Sequence, residues 1–144
     1  MPDSPDAQTG RRRLLETLQR GGPPAVPDDM VPRLLGKTTL ERRPDIVTRV
    51  REMIHGQTAE GMAAAVRVLM SRPDSTPLLG DIRVPALVIV GEEDTLTPPA
   101  EMERMTVAIP RATFAPIPHA GHLANLENPE AFNAAVHDFL GTIR

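Results

Sequence analysis

Asp94 and His122 are the residues whose types and surroundings suggest a shared chemistry. Asp94 comes just past the apolar run A-L-V-I-V-G at 86–91, and His122 comes just past a second run, A-T-F-A-P-I, at 112–117. A histidine serves as a general base when an acceptor holds its second ring nitrogen, fixing the tautomer and stabilising the imidazolium. A buried carboxylate does this. If the two runs are neighbouring strands, each residue stands on a loop beyond a carboxyl end, and topology brings them together across the intervening sequence. An acid and a histidine so placed are two thirds of a nucleophilic hydrolase, and the nucleophile is the missing third.

Other groups compete for these roles. Glu92 and Glu93 are rival carboxylates on the same loop, and the spacing G-x-x-D from Gly91 favours Asp94. His119 lies three positions before His122, and with Asp94 or Glu127 the pair reads as a possible His-x-x-His metal site. Neither an underlying helix nor a third nearby histidine supports that reading, so no metal and no cofactor are expected. His55 and His137 fall on helix surfaces.

The elements around these residues are legible from proline, glycine and apolar spacing. A polar stretch at 1–8 has no periodicity and is expected to be disordered or an entry loop. Leu14, Leu15 and Leu18 then mark one face of a helix over 9–20, stopped by Gly21-Gly22. A brief helix capped by Asp28 or Asp29 carries Met30, Val31, Leu34 and Leu35 and closes at Gly36, with Pro32 expected in its first turn. Pro44 opens a clearer helix to about His55, and Thr58 caps another to about Ser71. After a connector with a turn at 77–80 come a strand at 86–91, a helix at 98–108, a strand at 112–117 and a helix at 129–140. Strand, helix and strand joined at this length predict a parallel pair. Pro116 cannot donate to a ladder, which puts the second strand at a sheet edge.

Composition excludes several functions. The chain has 144 residues with a formal net charge of −3 and no cysteine. A nucleic-acid or anionic-membrane partner is therefore not expected, and disulfides and thiol nucleophiles are ruled out. Aromatic residues are 2% of the chain, all three of them Phe, which removes base-stacking platforms and aromatic cages. No apolar run is long enough to span a membrane and the first residues do not resemble a signal peptide, so a cytoplasmic protein is expected.

Two parallel strands are few for such a sheet, which normally has several and is covered on both faces. The run at 86–90 is apolar on both faces and calls for a neighbour on each side. The expectation is the C-terminal part of a larger α/β domain, its other strands lying upstream of Met1 or on another chain.

The residues I-R-V-P-A-L-V-I-V-G-E-E-D-T-L-T-P-P (82–99), A-I-P-R-A-T-F-A-P-I-P-H-A-G-H (108–122) and L-E-N-P-E-A-F-N-A-A-V-H-D-F-L (126–140) resemble the C-terminal end of the α/β-hydrolase fold family. The resemblance covers about residues 61–144, and the upstream helices resemble that family's helical cap. Within the family it is similar in flavour to enol-lactonases and carboxylesterases. It implies an incomplete α/β-hydrolase fold, with an entry segment at 1–8, a cap at 9–60 and the C-terminal part of the core at 61–144. It also implies Asp94 as triad acid and His122 as triad base. The family's nucleophile elbow, G-x-S-x-G, is not found: Ser4, Ser71 and Ser75 have no flanking glycine. His55-Gly56 imitates an oxyanion-hole motif only in letters, because it ends a helix.

Two functions remain in view. One is the acid-and-base portion of a serine hydrolase for a small carboxylic ester or lactone, inactive until an upstream half-domain supplies the nucleophile. The other is a non-catalytic remnant or interaction module that pairs, with itself or another chain, through its exposed sheet edge.

Overall fold

Proline and acidic residues at helix starts account for most element boundaries in the computed structural model, which describes residues 5–143. The chain divides into two compact units. One draws on the sequence up to Val31 and on Thr48–Ser75, the other on Pro32–Val47 and the sequence from Thr76 onward.

The first unit is helical. Helix α1 is Pro5–Gly21, beginning four residues before the expected Thr9. Pro5 needs no N–H partner at a first helical position, and Asp6 suits the positive end of the helix dipole. Of the stretch expected to be irregular, residues 5–8 are thus helical and 1–4 lie outside the described residues. A 3-10 turn, Pro23–Ala25, leads into α2, Pro27–Leu34. Because α2 starts at Pro27, Pro32 lies beyond the first turn, contrary to expectation. The carbonyl that Pro32 leaves without a partner belongs to Asp28, an exposed residue that water can reach. Helix α4, Pro44–His55, belongs to this unit from Thr48 onward and contributes buried Val50 and Ile54 to it. Helix α5, Ala59–Ser71, is capped as expected: Thr58 Oγ1 accepts the Gly61 N–H at 3.1 Å. It packs on α1, burying Val66.

The second unit carries the sheet. Before it comes α3, Lys37–Arg42, a one-and-a-half-turn helix with no apolar stripe to announce it. After a 3-10 turn at Thr76–Asp81 come β1 (Ala86–Gly91), α6 (Pro99–Ala108), β2 (Ala112–Ile117), α7 (Ala124–Glu127) and α8 (Pro129–Thr142). The strands are parallel, Ala86 opposite Ala112 and Gly91 opposite Ile117. Among the described residues they form a two-stranded sheet. Ile117, Ala120 and Ala124 make a buried cluster against which Ile89 of β1 and Ala131, Phe132 and Ala135 of α8 pack. The apolar side chains of α8 are only partly covered, Leu140 being 60% exposed. No helix among the described residues is long and apolar enough to cross a membrane.

The ladder continues past the strand ends. Glu92 N–H donates to the Ile117 carbonyl at 2.9 Å and Glu93 N–H to the Ala120 carbonyl at 2.8 Å. The loop after β1 is thereby laced to the loop after β2. These are the loops that carry Asp94 and His122.

Candidate acid–base site

Asp94 is a buried carboxylate surrounded by donors. Its N–H bonds the Gly91 carbonyl at 3.1 Å, closing a tight turn off the strand end. Oδ1 accepts the backbone N–H groups of Leu96 (2.8 Å) and Thr97 (3.0 Å). Oδ2 accepts the Thr97 hydroxyl at 2.6 Å and lies 2.9 Å from Nδ1 of His122. Burial pushes the Asp94 carboxyl up, but the hydrogen bonds from Thr97 (hydroxyl, then N–H), His122 and Leu96 outweigh it and hold the group below its ordinary value.

The partner's protonation follows. An ionised carboxylate only accepts, so Nδ1 of His122 carries the hydrogen that faces it. In the neutral ring this leaves the lone pair on Nε2, the nitrogen that can take up a proton. The His122 side chain is 36% exposed against 3% for Asp94. The acid is enclosed, and the base faces outward.

The histidine's backbone is held as firmly as its ring. His122 N–H donates to the Leu34 carbonyl at 3.0 Å. On either side, Gly121 N–H and Leu123 N–H donate to Oε1 of Glu127 at 2.9 and 3.1 Å. The other oxygen of Glu127 accepts the Gly36 N–H at 2.7 Å. Glu127 is 5% exposed, a buried acid with three donors.

The rival carboxylates are occupied elsewhere or exposed. Glu93 takes the Thr38 N–H (2.7 Å) and the Thr38 hydroxyl (2.5 Å). Burial raises its carboxyl, and the two bonds from Thr38, helped by the charges of His119 and Lys37, bring it below its ordinary value. Glu92 points to solvent. His119 has a left-handed backbone, φ 58°, which histidine tolerates better than most residues. It lines a groove with Thr38, Arg42, Arg43, Asn128 and Glu130 that includes neither Asp94 nor His122. Among the described residues no group of three or more His, Asp and Glu is placed to hold a metal ion. Ser71 Oγ is bonded to the Val68 carbonyl at 3.2 Å within its own helix, and Ser4 lies outside the described residues.

Thr97 and Glu127 are the contributors that spacing did not single out for this arrangement. Thr97 stands three residues after Asp94, one beyond Leu96, whose N–H at the second position closes the aspartate-led turn. Residue spacing offers Glu127 only as a metal ligand, and its partners are backbone amides that no side-chain pattern displays.

Comparison with known proteins gives a consistent picture. The sequence matches the Alpha/beta hydrolase family over residues 2–135. It is 34% identical over 97 residues to 3-oxoadipate enol-lactonase 2 of Acinetobacter baylyi, an alignment covering 67% of this chain and 36% of that protein. Among solved structures it is similar to a thermophilic esterase from Thermogutta terrifontis, with 42% identity, a TM-score of 0.90, and 97% of this chain and 52% of that chain covered. The enol-lactonase from Burkholderia xenovorans LB400 superposes with a TM-score of 0.84 at 29% identity, covering 96% and 52%. The chain spans about half the length of these solved relatives.

Proposed function

Starting from the fact that the chain belongs to the Alpha/beta hydrolase family and has its fold, we propose that Asp94 and His122 are the acid and base of a serine-type triad that hydrolyses a small carboxylic ester or lactone. The observation that carries this reading is the 2.9 Å contact between Asp94 Oδ2 and His122 Nδ1. In this mechanism Nε2 of His122 takes the proton of an attacking serine and returns it to the leaving oxygen. Asp94 stays ionised, holds the tautomer and stabilises the imidazolium. The enol-lactonase and esterase relatives supply the substrate class.

The 144 residues contain no G-x-S-x-G, so in this reading the nucleophile comes from sequence beyond them. Acting alone they hydrolyse no ester, because the serine and the oxyanion donors provide most of the rate. Residues 9–60 are assigned to the cap and 61–144 to the core portion, although Pro32–Val47 falls in the same compact unit as the strands. The test is an assay with short p-nitrophenyl esters and lactones. The chain is measured by itself and after joining to the serine-bearing half of a similar esterase. Turnover only in the joined protein supports the reading. A joined, folded protein that hydrolyses no ester or lactone overturns it.

A second reading is favoured by one observation: β1, apolar on both sides, is paired with β2 alone among the described residues. In that case the open edge of β1 recruits a strand from another chain and the acid–base pair is a remnant. Sedimentation separates the two, since a stable monomer is incompatible with edge pairing.

A further inference from the structure

We propose that Glu127 is a positioning residue for His122, a role that rests on the catalytic reading above. The geometry is specific to the histidine. One carboxylate oxygen receives the N–H groups of Gly121 and Leu123, the two residues that flank it. The other receives the N–H of Gly36, two residues after Leu34, whose carbonyl takes the N–H of His122 itself. Three consecutive N–H groups, at 121, 122 and 123, are therefore all committed. The peptide plane before His122 cannot rotate without breaking the His122 N–H bond to the Leu34 carbonyl, nor the plane after it without breaking the Leu123 N–H bond to buried Glu127.

That restraint bears on the ring. Once the backbone at 121–123 is fixed, the direction of the His122 side chain is fixed, and Nδ1 meets Asp94 without a search among orientations. Asp94 alone cannot do this, because it holds one atom at the end of a side chain whose base would be free to swing. α7 provides the reach: Glu127 N–H bonds the Leu123 carbonyl at 3.0 Å, and its side chain folds back to the Leu123 N–H. Glutamine has the shape of glutamate but only one accepting oxygen. Its amide nitrogen would confront either Gly36 N–H or the Gly121 and Leu123 pair, donor against donor.

The test is heteronuclear NMR on the 15N-labelled chain and on Glu127→Gln, reading the His122 ring tautomer and amide exchange. In the unmodified chain His122 is expected to hold its proton on Nδ1, with slow exchange at Gly36, Gly121 and Leu123. In E127Q these amides are expected to exchange about tenfold faster or more, while β1 and β2 amides stay protected and His122 spreads over both tautomers. Faster exchange at the three amides with an unchanged His122 tautomer would overturn the proposal and leave Glu127 a plain structural staple. Should E127Q not fold, the unmodified chain decides: a common opening rate for the three amides and the Nδ1 proton supports the clamp, and independent rates refute it. Absence of the Nδ1–H form from the unmodified chain removes the catalytic reading and this role with it. The two failures are therefore distinguishable.

Discussion

His122 Nδ1 and Asp94 Oδ2 are 2.9 Å apart, yet the carboxylate they share is oriented mainly by a third residue, Thr97, which donates twice. This division of labour fixes what a substitution at Asp94 does. In Asp94→Asn the oxygen must stay toward the N–H groups of Leu96 and Thr97, so the amide nitrogen takes the place of Oδ2. A donor then faces Nδ1 and the ring is driven to the wrong tautomer. If the pair acts as proposed, kcat for ester hydrolysis in the chain joined to the serine-bearing half of a similar esterase is expected to fall by roughly 10⁴ with little change in KM. Replacing His122 by Ala is expected to cost on the order of 10⁶ in kcat.

Thr97→Val tests the orienting role separately. It removes the hydroxyl, with its bond to Oδ2 and its 3.3 Å approach to His122 Nδ1, and keeps the backbone bond to Oδ1. A hydrogen bond to a charged group contributes about 1.5–3 kcal/mol, and a stability loss in that range is expected from urea unfolding. The Asp94 carboxyl carbon should titrate at higher pH than in the parent chain. A parent-like Asp94 titration would show that the hydroxyl is a bystander.

How much of this was legible in the sequence depends on the kind of contact. The strands at 86–91 and 112–117 and the helix starting at Pro44 were readable because apolar runs and proline record their boundaries locally. The closeness of Asp94 to His122 was readable because parallel pairing places both strand ends together. Helices α3 and α7 were missed, as K-T-T-L-E-R and A-N-L-E show no apolar period, being held by Thr39 burial and by Glu127 in tertiary contacts. Pro32 falls outside the first turn because Pro27 itself starts the helix, ahead of the caps that Asp28 and Asp29 offer. The half-buried carboxylate of Glu93 and the buried one of Glu127 bond backbone donors 55 and 91 positions away, relationships with no signature in residue spacing.

Acid sensitivity follows from two of these carboxylates. Asp94 and Glu93 both lie below their ordinary values in the folded chain. A depressed carboxyl contributes stability above its unfolded pKa, about 3.9 for Asp and 4.3 for Glu, and that contribution is lost as pH falls through the folded value. Unfolding free energy is therefore expected to be flat from pH 7 to about 5 on this account and to drop below about 4. Thr38→Val, which removes one donor to Glu93, should be less stable at pH 7 and lose less on acidification. An equal loss in both chains would contradict the assignment to Glu93.

Gly121→Ala and Gly141→Ala are predicted to move stability in opposite directions, for reasons visible around each Cα. A Cβ on Gly121 would collide with the backbone nitrogen of Gly36 and the carbonyl carbon of Leu35. Backbone atoms cannot swing aside as a side chain can, and both segments are tied in place by Glu127. The strain has to be relieved by parting the two loops, at a cost of about 1–3 kcal/mol or more, and the parting carries His122 away from Asp94. At Gly141, in the last turn of α8, a Cβ meets nothing within 4 Å. Alanine there only reduces the freedom of the unfolded chain and should stabilise by about 0.4–1 kcal/mol. Urea unfolding midpoints for the two variants check the pair. A Gly121→Ala variant with a parent midpoint would mean that the Gly36 and Gly121 segments part freely, and the tight seating of the His122 loop would be lost as an explanation.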